Sequence, residues 1–151
     1  KDLSGCGVGF KFMQAFAISN GIDFSHLEAL LDFVAVSIAS DIVPITGENR
    51  ILAYYGIKRL NEHPSKGIKA IIDTCVPQNN KERKGQQQEI TMNDIVFKIG
   101  PRINASGRMK SGREVVELLI ANDDILAEYD EVLHLAYEWF VCLLAMNQFQ
   151  H

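Results

Sequence analysis

The chain has 151 residues, 47% of them hydrophobic and 23% charged, with a net charge of −4. That length suits one domain, and that composition excludes wholesale disorder. The acidic balance argues against a protein that holds nucleic acid by bulk electrostatics, but leaves room for a local basic groove.

The chain opens with glycines at positions 5, 7 and 9. Phe10, Met13, Phe16 and Ala17 then recur at helical spacing, predicting a helix over 8–20 that Gly21 caps. A glycine-rich turn before a helix can hold phosphate. Here it matches no complete phosphate-loop pattern, so close backbone packing is the expected role. Ser25 and Glu28 form a capping-box pattern ahead of Leu27, Leu30, Leu31, Val34, Ala35 and Ile38. This predicts a buried helix over 25–40, apolar on nearly all sides. Pro44 stops it.

The polar turn Thr46-Gly47-Glu48-Asn49-Arg50 precedes a helix expected over 50–62, with Thr46 or Asn49 as its cap and Ile51, Leu52, Tyr55, Ile57 and Leu60 as its apolar face. A short helix follows over 68–74. The polar run 77–89 reads as a mobile surface loop. Thr91 caps a helix through Ile95, Val96, Phe97 and Ile99 that should end at Gly100-Pro101. Another helix is expected over 114–121, with Val115, Val116, Leu118 and Leu119 buried. From Ile125 the tail reads as a long amphipathic helix. The sum is mainly α, with little strand alternation.

Two places carry candidate chemistry. Asp41 sits at the end of a buried helix, flanked by Ala39, Ile42 and Val43. A carboxylate there is costly to bury unless it is paired or ligates a metal; an exposed, locally bonded helix-end aspartate is the alternative. The second place is Gly100 to Arg108, Gly-Pro-Arg-Ile-Asn-Ala-Ser-Gly-Arg. Arg102 and Arg108 each offer a fork of donors to a phosphate, and Asn104 and Ser106 add neutral donors. Binding of a phosphodiester is suggested; a solvated corner between two helices is the alternative.

Other chemistry is excluded more easily. His26, His63, His134 and His151 have no partners at metal-ligand spacing, and no Walker, GxSxG or CxxC pattern occurs. Asp41 by itself cannot hold a divalent cation. Cys6, Cys75 and Cys142 stand apart, which fits a reducing, cytoplasmic setting. The most apolar run, 136–146, is too short for a bilayer, which needs about 20 residues.

The segments Ala39-Ser40-Asp41-Ile42-Val43-Pro44-Ile45, Glu48-Asn49-Arg50 and Gly100 to Arg108 resemble the RecJ family of single-stranded-DNA-specific exonucleases, in the DHH phosphoesterase superfamily. Leu3 to Lys11 is similar to the stretch that follows the family's DHH motif. The similarity runs over about residues 2–125, in order.

The resemblance implies that residues 1–121 are the C-terminal helical part of an α/β phosphoesterase domain. Residues 122–151 would start the interdomain helix. The apolar stretch from Ala136 to Phe149 departs from the family there and would favour self-association.

The resemblance also implies 5′ to 3′ digestion of single-stranded DNA in recombination and repair, with Mn²⁺ or Mg²⁺. Asp41 then matches the last metal-ligand aspartate. Arg102, Asn104 and Arg108 match the loop at the scissile phosphate. The family's DxD and DHH motifs are missing from the sequence, so no catalytic set is complete and the chain alone is expected to be inactive. A non-catalytic nucleic-acid-binding or helical interaction module is the alternative.

Overall fold

The computed structural model describes residues 2–75, 89–109 and 112–121, with side chains for all of these except 106–109. Among the described residues there is helix and no strand. The helices are α1 (Gly5–Asn20), α2 (Ser25–Glu28), α3 (Leu31–Ser40), α4 (Gly47–Glu62), α5 (Lys66–Cys75), α6 (Met92–Asp94), a π-helix (Ile95–Ile99), α7 (Gly100–Met109) and α8 (Gly112–Ile120). The expected loop over 77–89 falls almost wholly outside the described residues, and the expected tail helix from Ile125 falls wholly outside. So does everything beyond the expected boundary at 121.

The chain divides into two units. The first comprises residues 1–64 and 89–96, the second 65–88 and 97–151.

In the first unit α1 begins earlier than expected. Ser4 is the N-cap, buried, and its hydroxyl accepts from Gly7 N–H at 3.2 Å. Gly5, Gly7 and Gly9 therefore lie inside the helix and not in a turn before it. The close-packing role expected of them is not found at Gly5 or Gly9, where an added Cβ would meet nothing within 4 Å. Gly21 ends the helix at φ 64°, and the next N–H, of Ile22, bonds Ala17 O at 2.9 Å. Phe10 and Ala17 are buried, but Met13 and Phe16 are exposed.

The helix expected over 25–40 is two helices. Phe24, not Ser25, is the N-cap; Asp23 Oδ1 accepts from Ser25 N–H at 2.8 Å just before it, and Ser25 becomes the first helical residue. The break at Ala29–Leu30 has two visible causes. Ala29 O is taken by Arg59 Nε at 3.2 Å, and Phe33 N–H goes to Asp32 Oδ1 at 2.8 Å. Those two groups would otherwise bond each other across one helical turn. Helix α3 is buried almost all round, as its apolar sequence requires, and Asp32 is fully buried with it.

Helix α4 starts at Gly47, so most of the expected polar turn is its first turn. Thr46 occupies the N-cap without a side-chain cap bond. Its inner face is Asn49, Ala53, Gly56 and Leu60, whereas Ile51 and Tyr55 are exposed. The reason is close approach: a Cβ on Gly56 would collide with Leu31 O and stand 2.6 Å from Ala35 Cβ. Small residues, not large ones, set the contact between α3 and α4. Phe10, Leu27, Leu31, Val34, Ile38 and Ala53 form the core, with Met92 against its edge. Asn61 fastens Ile90 to α4 by giving Nδ2–H to Ile90 O (3.0 Å) and taking Ile90 N–H (2.7 Å).

In the second unit α5 packs on α8 through Gly67, where a Cβ would collide with Leu118 O and lie 2.7 Å from Leu119 Cα. Ile68, Ile71, Val115 and Leu118 are buried there. Val116, expected inside, is exposed, because Val115 and Leu118 fix the inner side of α8.

The Thr91 cap is present as a full capping box with Asp94. The helix it opens does not end at Gly100-Pro101. It widens into the π-helix and continues as α7. Pro101 falls directly after the π segment, where its ring forgoes one hydrogen bond of the continuing helix.

Candidate functional site

Asp41 closes α3 as its C-cap and is exposed. Its carboxylate accepts a hydrogen bond from Ser37 Oγ at 3.1 Å. The same hydroxyl accepts from Cys6 N–H, in the first turn of α1, at 3.4 Å. A hydroxyl thus links the carboxylate to the positive end of a helix. Immediately after it, Ile42 has φ 52° and is exposed. A β-branched residue in the left-handed region is strained, by about 1–3 kcal/mol, and such strain persists where the surroundings hold it.

Asn49 is what holds the following segment. It is 2% exposed, and its Nδ2 donates to Asp2 O at 2.7 Å and to Pro44 O at 3.0 Å. Its Oδ1 is buried without a hydrogen-bond partner among the described residues. Lys11 meets Glu48 at 2.7 Å, which anchors the first turn of α4 to α1. The run from Asp41 to Thr46 is therefore fixed at both ends.

Arg102, Asn104, Ser106 and Arg108 lie on a helix, α7, and not on a turn. Arg102 is 5% exposed, and its Nη1 donates to Lys98 O at 2.8 Å. Asn104 is exposed and Ala105 buried. The backbone puts Asn104 and Arg108 one helical turn apart on one side, and Arg102 on another. The side chains of Ser106 and Arg108 lie outside the described ones. Asp41 belongs to the first unit and α7 to the second.

Among the described residues no group of three or more His, Cys, Asp or Glu could hold a metal ion. Asp41 offers one accessible carboxylate, so the described residues do not by themselves make a metal site. No described helix is long and apolar enough to cross a membrane.

Sequence reasoning missed Ser37, Asp32 and the clamp by Asn49. Ser37 was open to discovery, since it stands one helical turn before Asp41. The other two depend on contacts that no local pattern records.

No protein-family model matches the sequence. Among curated proteins, the chain is 37% identical over 131 residues to the single-stranded-DNA-specific exonuclease RecJ of Haemophilus influenzae, covering 82% of this chain and 21% of that protein. It is 32% identical to the protein of that name from Dickeya dadantii, covering 84% and 22%. For Bacillus subtilis the identity is 33%, covering 85% and 14%. The chain thus spans about a fifth of its first relatives, and less of the longer one. Over the aligned residues, a helical segment carrying Asp41, Asn49 and the Gly100–Arg108 helix belongs to the RecJ family.

Proposed function

We propose that this chain is a working segment of a metal-dependent exonuclease that digests single-stranded DNA from 5′ to 3′ in recombination and repair. The observation that carries the reading is the similarity, over more than four fifths of the chain, to three proteins named as single-stranded-DNA-specific exonucleases. Asp41 is proposed as one carboxylate of a Mn²⁺ or Mg²⁺ site whose other ligands are not among the described residues. Such ions activate water and stabilise the in-line displacement when bound. The hydrogen bond from Ser37 holds that carboxylate in place. Asn104 and Arg108, one helical turn apart, are proposed to bind the DNA phosphates on one side of α7, and Ser106 on the side that Arg102 takes. Arg102 joins them from a buried position, with one donor committed to Lys98 O.

The test is a chimera in which this chain replaces the matching segment of the Haemophilus influenzae relative. The chimera should digest 5′-labelled single strands. Asp41→Asn should abolish turnover and leave strand binding nearly intact, because it removes charge but keeps shape. A chimera that melts cooperatively, binds single strands and keeps near-normal kcat with Asp41→Asn would reduce Asp41 to a helix-end residue. One that folds and binds but never digests, with or without that substitution, would favour a non-catalytic binding module.

A further inference from the structure

Helix α4 buries Asn49, Ala53, Gly56 and Leu60 and turns its other side outward. That outer side carries Ile51, Tyr54, Tyr55 and Lys58. Tyr54 is 66% exposed and Tyr55 53%, and their rings meet edge to face at 5.2 Å. Neighbouring phenols on a water-facing helix side are an unusual use of aromatic surface, which normally buries itself. Arg50 stands one turn before Tyr54 and Lys58 one turn after, both exposed. Among the described residues Arg50 has no ion pair, and Lys58 has only the long 3.9 Å contact to Glu62.

The charge on α4 runs against that of the chain. Arg50, Lys58 and Arg59 face Glu48 and Glu62, and Glu48 is already engaged by Lys11. The row is therefore cation, aromatic, cation, with steps of roughly 6 Å along the helix axis. Cations that track a phosphate backbone beside rings on which bases stack are the two elements of a single-strand platform. Duplex DNA cannot use such a platform, because its base faces are already stacked on one another.

We infer that Arg50, Tyr54, Tyr55 and Lys58 form a stacking surface for the bases of single-stranded nucleic acid, a subsite that rests on the function proposed above. Its role is to prefer unpaired strands.

The experiment measures binding of the 151-residue chain to a labelled oligothymidylate and to an abasic deoxyribose-phosphate strand of equal length. The variants are Tyr54→Ala/Tyr55→Ala, Tyr54→Leu/Tyr55→Leu, Tyr54→Trp/Tyr55→Trp and Arg108→Ala, each checked for an unchanged helical signal. Both the Ala and the Leu pairs should weaken the thymidylate complex about tenfold or more, and the Trp pair should keep it. The abasic strand should bind weakly and alike to the parent and all tyrosine variants.

Equal thymidylate binding by parent and Ala pair, while Arg108→Ala weakens it, would overturn the platform and leave the broader reading standing. Recovery by the Leu pair would also overturn it, because apolar bulk without a ring marks a protein-packing face. A parent chain that binds neither strand would fail the broader reading as well.

Discussion

At the scale of single residues, Asn49 decides most. It gives two hydrogen bonds from one amide nitrogen to carbonyls far apart in sequence, Asp2 and Pro44. Asn49→Ala should destabilise the chain by about 1–3 kcal/mol, since two hydrogen bonds from a buried amide are lost. Asn49→Asp should be worse above pH 5, because a carboxylate would then face both carbonyls. Urea unfolding of the two variants checks the order; an Asp variant as stable as the parent would remove the clamp.

Asp23 gives a pH prediction. Hydrogen bonds from the Ser25 hydroxyl and backbone N–H, helped by nearby His26, hold its carboxyl below the ordinary range. The folded value is the lower one, so its contribution is present above the unfolded value of about 3.9 and fades as pH falls through the folded one. A carbon-detected titration should find Asp23 protonating at lower pH than an aspartate in a short peptide, and Ser25→Ala should bring the two closer.

At the scale of elements, the glycines separate by what surrounds them. Gly56→Ala should cost roughly 1–3 kcal/mol or more, because its Cβ would meet the α3 backbone, which cannot step aside. Gly9→Ala meets open space within a helix and should stabilise the chain by up to about 1 kcal/mol. Thermal melts of the pair should move in opposite directions.

The same contrast shows what was legible in the sequence. Helix existence was readable from the spacing of Phe10 and Ala17 and from the caps at Gly21 and Thr91. The face of α4 was not, because hydrophobicity pointed to Ile51 and Tyr55 while the close approach at Gly56 needed small residues. The run at Gly100 looked like a turn, since Gly-Pro usually ends a helix; a π-helix that lets the chain continue leaves no such mark. Asp41 was placed at its helix end by Pro44 alone, but the hydroxyl bond from Ser37 needed the backbone to be seen.

At the scale of the whole molecule, the chain offers one exposed candidate carboxylate and no described metal cluster. It should hydrolyse no single-stranded DNA by itself with Mn²⁺ or Mg²⁺, while still binding the strand weakly. That binding should fall with salt, and Arg108→Ala should lower the slope by about one counterion. Arg108→Lys should weaken binding about tenfold, as lysine cannot bond in bidentate form. Metal-dependent digestion that tracks with the purified chain would show that a complete site had been overlooked, and an unmoved salt slope would take Arg108 out of phosphate contact.

The π-helix around Phe97 is a turn that holds one residue more than an α-turn while the helix carries on. Ile95 and Ile99 are both fully buried, four residues apart, across a turn that is one residue wider than an α-turn. Deleting exposed Phe97 would let that turn close into a regular helix. Because the wide turn absorbs the extra residue, Ile99 would keep nearly the direction it now has within its own helix. Trimming one surface residue there would thus resemble taking a spare link from a chain, whereas replacing the same residue by alanine would leave the wide turn in place.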